Sequence, residues 1–97
     1  MPSNKISVVL TELQYARMMR GIDEGQKNYT FDEIRAFIRR TRTEQFKNQD
    51  KLKAYVENRV YPEYIKDAGA WYHGLTLENQ KLKALRSKAI LIRDSMK

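Results

Sequence analysis

Few residues in this 97-residue chain have chemistry to offer. There is no cysteine and a single histidine, His73, so neither a disulfide framework nor a metal site is expected. His73 has no nucleophile beside it and reads as part of a helix end at Gly74. The four glycines are scattered rather than gathered into a phosphate loop. No carboxylates pair on one helical face beyond ordinary surface spacing. The expectation is therefore a protein that is not an enzyme and needs no cofactor. What remains is a basic excess of 19 Lys and Arg over 12 Asp and Glu, net charge +7, which draws a chain toward polyanions. Within that excess Lys5, Ser7 and Val9 alternate along an apolar segment. A strand would present all three on one face, where polar side chains can meet the edges of bases.

The elements that would position them follow at once. Lys5–Leu10 alternates as a strand, with Ile6, Val8 and Leu10 on the inner face. Thr11 and Gln14 form a capping box that opens a helix striped by Tyr15, Met18, Met19 and Ile22. Gly25 falls at its C-cap. Thr30 and Glu33 form a second capping box, before a helix striped by Phe31, Ile34, Phe37 and Ile38. No second alternating run is present to satisfy the strand's backbone groups. The economical solution is a homodimer in which two copies pair this strand antiparallel across a two-fold axis. Ile6, Val8, Leu10, Ile34, Phe37 and Ile38 then make the dimer core, and Lys5, Ser7 and Val9 face the major groove of double-stranded DNA.

Residues 4–41, with the strand Ile6–Leu10, the Thr11-Glu12 helix start and the helix Thr30–Arg39, resemble the ribbon-helix-helix superfamily of DNA-binding proteins. The resemblance implies base contacts from Lys5, Ser7 and Val9, the last through a thymine methyl. It also implies a phosphate held at the start of the second helix by the backbone near Tyr29, Thr30 and Phe31, supported by Lys27 and Asn28. Unpaired amides and the helix dipole favour an anion there. The basic run Arg39-Arg40-Thr41-Arg42 reads instead as cations toward a helix C-terminus, with the helical pattern extending through Gln45 and Phe46.

A polar stretch, Lys47–Asp50, sets the expected boundary between a ribbon-helix-helix domain over 1–47 and a helical oligomerisation region over 48–97. The second region reads as a helix from Asp50, a break at Pro62, a helix ending near His73-Gly74, and a last helix from Thr76. Trp71, Leu82, Leu85 and Ile92 are candidates for joining dimers into a tetramer. The expected fold class is mainly α with one shared ribbon. The expected function is sequence-specific DNA binding as a transcriptional repressor or regulator, acting by occlusion. Alternatives are an accessory DNA-binding protein of a plasmid, an antitoxin, or a helical scaffold. No run of about 18 apolar residues is present to span a membrane, and no secretory signal opens the chain, so a cytoplasmic location is expected.

Overall fold

A computed structural model of the chain describes residues 9–96, and in it three helices follow one another. They are α1 (Glu12–Asp23), α2 (Phe31–Asn58) and α3 (Ala68–Ser95). Both capping boxes form. Thr11 Oγ1 accepts from the Gln14 amide at 3.2 Å while Gln14 Oε1 accepts from the Thr11 amide at 3.0 Å. Thr30 and Glu33 repeat the arrangement at 3.2 and 3.0 Å. The end of α1 is a Schellman turn: Gly25 sits at φ 82°, its amide donates to Ile22 O, and the Gln26 amide donates to Gly21 O. Helix α2 ends at Arg59, which takes the left-handed conformation at φ 56° without being glycine. Its guanidinium lies 5.1 Å from the Tyr55 ring centre. Asp67 caps α3 by accepting from the Ala70 amide at 3.0 Å.

Helices α2 and α3 form a long antiparallel hairpin, and α1 packs across one end of it. Pairing is fixed near mid-length by Asn79 Nδ2, which donates to Gln45 O at 3.4 Å. The core lies at the covered end, where Tyr15, Met18 and Ile22 meet Ile34, Phe37 and Ile38 of α2 and Leu82, Leu85, Ala89 and Ile92 of α3. These residues recur at intervals of three and four, so each helix keeps one face inward. Phe37 is fully enclosed and contacts the Tyr15 ring at 5.4 Å; its truncation to Ala would cost about 3–5 kcal/mol. Beyond Ile38 the inner face of α2 turns polar, through Thr41, Gln45 and Asn48. The molecule is elongated, 51 × 28 × 21 Å.

This architecture overturns the ribbon-helix-helix resemblance. Among the described residues there is no strand; Val9 and Leu10 precede α1 as irregular chain, and Lys5–Val8 lie outside the described residues. The second helix runs past Phe46 to Asn58. Its apolar face, which a shared ribbon would need, is covered by α3 of the same chain. Leu10, Ile34, Phe37 and Ile38 are accordingly buried within one chain, and Leu82, Leu85 and Ile92 join them there. Ile6 and Val8 fall outside the described residues.

The helical boundaries of the second half also differ from those expected. Residue 47 lies inside α2, whose inner face carries on through the buried Asn48. Helix α3 passes through His73 and Gly74 and spans both of the segments anticipated there. An interior glycine costs about 1 kcal/mol relative to alanine, and α3 continues through it with Trp71, Tyr72 and Leu75 half-buried on either side. Mainly α is the fold class that stands.

Candidate nucleic-acid interface

The continuation of α2 changes the meaning of its basic run. At a helix end, arginines answer the dipole; in mid-helix they answer to nothing in the backbone. Arg35, Arg39 and Arg42 fall at i, i+4 and i+7, within about 60° of arc and about 10 Å of helix axis. All three are exposed. Together with Ile38 and with Arg93 from α3 they line a shallow groove of about 190 Å³. Four arginines from two helices thus line one concavity.

Their neighbour Arg40 shows what a committed arginine looks like here. It points off this face toward α1, where it pairs with Glu12, hydrogen-bonds Glu44 through Nε at 3.1 Å and stacks 4.7 Å from the Tyr15 ring centre. The Glu12 contact, with help from Glu44, raises its pKa against the opposing effect of burial. Arg40 therefore ties α1 to α2. Arg39 and Arg42 have no carboxylate within ion-pairing distance among the described residues. Arg35 lies 5.7 Å from the Phe31 ring centre, and Arg93 hydrogen-bonds its chain neighbour Asp94 at 3.3 Å. Close like charges repel unless an anion joins them, and arginine forks suit phosphate oxygens in particular.

Arg39 also lines a second groove with Val9, Leu10, Ala36, Arg40 and Thr43. Val9 is 81% exposed there. Of the three residues expected to contact bases it is the one described, and it sits beside the arginine groove; Lys5 and Ser7 lie outside the described residues. The residues expected to hold a phosphate do not converge. The capping box already engages the Thr30 and Glu33 amides, and the Asp32 and Glu33 carboxylates occupy the same turn. Lys27 lies along an apolar groove with Lys88, Leu91 and Ile92, whereas Asn28 and Tyr29 line another with Gln14 and Arg17. Phe31 is half-buried under Arg35. Tyr29 has a packing role as well, since its hydroxyl takes the space that a side chain at Gly21 would fill. Burial, then Glu24 and Glu33, raise its pKa.

The arginine groove was missed because the run was assigned to a helix end. The 35/39/42 spacing is the signal that identifies it, once the helix is known to continue. No helix among the described residues is long and apolar enough to cross a membrane. No family model, no curated protein and no solved structure matches this chain.

Proposed function

We propose that the chain binds double-stranded DNA through its phosphate backbone, using the groove formed by Arg35, Arg39, Arg42 and Arg93. The observation that carries this reading is the gathering of four arginines from two helices around one concavity, with no ion pair to Arg39 or Arg42 among the described residues. The spread from Arg35 to Arg42 covers about 10 Å, roughly the axial rise of three base pairs. That is the reach needed to meet several phosphates of a duplex at once. Contacts of this kind position a protein without reading sequence. Any base discrimination must come from side chains beside the groove, such as Val9 in the neighbouring groove that shares Arg39. Where such a contact covers a promoter, its regulatory effect would be occlusion.

The test is fluorescence anisotropy with a labelled duplex of 20–30 base pairs. Wild-type protein is expected to bind with a Kd on the order of 10⁻⁶ to 10⁻⁴ M for arbitrary sequence near physiological salt. The double variant Arg39→Ala/Arg42→Ala should bind at least about tenfold more weakly with its melting temperature unchanged. Equal binding by the double variant would overturn the reading. So would a duplex that fails to compete while single-stranded RNA or anionic vesicles bind.

A further inference from the structure

Between Asn48 and Asn79 no side chain of this protein is buried, although the segment holds its one tryptophan and four of its six tyrosines. The cause is architectural. Helix α1 covers only the end of the hairpin that carries the core, and beyond it no other described helix packs on α2 and α3. Two helices in contact hide a single seam, so the remaining apolar surface stays wet. At this outer end Tyr55 stands at the centre of an aromatic cluster. Its ring centre lies 5.9 Å from Tyr61, 5.9 Å from Trp71 and 5.2 Å from Tyr72. Val56 and Val60 are exposed alongside, and Tyr64 is 81% exposed. Capped by Asp67 and closed by a turn at Pro62, the cluster is pre-organised.

Charge indicates what covers it. Residues 49–78 carry four basic side chains (Lys51, Lys53, Arg59, Lys66) and five acidic ones (Asp50, Glu57, Glu63, Asp67, Glu78), a net of −1. The rest of the chain therefore holds 15 basic and 7 acidic residues, a net of +8. A strongly charged partner of either sign has no complement at the outer end. A second copy of this chain does have one: signs are interleaved, the apolar surface is self-similar, and the two +8 bodies stay far apart.

We infer that the outer halves of two hairpins pack together across a two-fold axis, closing a four-helix bundle around Tyr55, Tyr61, Tyr64 and Trp71. The two bodies with their arginine grooves project from opposite ends of that bundle. This assembly uses the outer hairpin rather than an N-terminal ribbon, and it rests on the hairpin alone, independently of what the grooves bind.

The test needs no nucleic acid. Light scattering after gel filtration is expected to give 23 kDa, twice the 11.5 kDa of one chain, at tens of micromolar protein, and the same mass in 1 M salt. Tyr64→Glu and Val60→Glu alter residues that are exposed in the single chain, so helical circular dichroism should be kept. Each should raise the dimer dissociation constant at least about tenfold. Arg39→Ala should leave the mass at 23 kDa. A mass of 11.5 kDa at every concentration overturns the inference. It is equally overturned if both glutamate variants stay dimeric, which would place any interface elsewhere.

Discussion

Adjacent arginines on α2 divide the work between them. Arg40 is half-buried, paired with Glu12 and Glu44 and stacked on Tyr15. Arg40→Ala should destabilise the fold by about 1–2 kcal/mol, read by denaturant unfolding, because packing and a cation–π contact go with the ion pairs. Arg39→Ala should change stability by less than about 0.5 kcal/mol and show its effect in DNA affinity instead. Tyr15 offers a second, pH-dependent reading. Burial first, then Glu44, pushes its pKa up to about 12, and its hydroxyl is enclosed with no hydrogen-bond partner among the described residues. Its folded pKa lies above the unfolded one, so the unfolded chain loses the proton first as pH rises from 10. The neutral-state advantage is thus complete below pH 10 and is lost as pH climbs to 12, by up to roughly 2–3 kcal/mol. Tyr15→Phe should flatten that part of the stability curve. At pH 7 it should cost little, since no satisfied hydrogen bond is removed.

Among the elements, the linker between α1 and α2 is locked by a close approach. A Cβ built on Gly21 would stand 1.6 Å from the Tyr29 hydroxyl oxygen. Gly21→Ala should therefore lower stability by about 1 kcal/mol, even though alanine favours the helix by about that amount. In a Tyr29→Ala background the same change should stabilise, and a double-mutant cycle by thermal melting checks the reversal. The elements also show what could be read from the sequence and what could not. Both capping boxes were legible because each is a four-residue affair settled by local hydrogen bonds. The stripes of α1 and early α2 were legible because three and four residue spacing survives any tertiary setting. Lys47–Asp50 looked like a boundary because its residues are polar, yet the inner face of α2 is itself polar there. Gly74 looked like a stop because a glycine is costly in a helix interior, yet about 1 kcal/mol does not end a helix of 28 residues. The alternation at Lys5–Leu10 suggested a strand; Val9 and Leu10, the part of it that is described, are irregular chain, and the α2 face a shared ribbon would need is covered by α3.

On the scale of the whole molecule, the protein has a compact, basic body at one end and a neutral aromatic hairpin at the other. The positive charge is concentrated where α1, α2 and α3 meet, and the arginine groove lies within that part. Pairing through the outer hairpins would present two such grooves to one duplex, and binding at the first would raise the effective concentration at the second. If the groove neutralises four phosphates, log K should fall with log salt at a slope of about −3.6 for each groove. The most direct measurement is that slope for the Tyr64→Glu variant, in which one groove acts alone, with and without Arg39→Ala/Arg42→Ala. The account predicts a slope of about −3.6 that falls to about −1.8 when the two arginines are removed. A slope near zero, or one that the two substitutions leave unchanged, would contradict it.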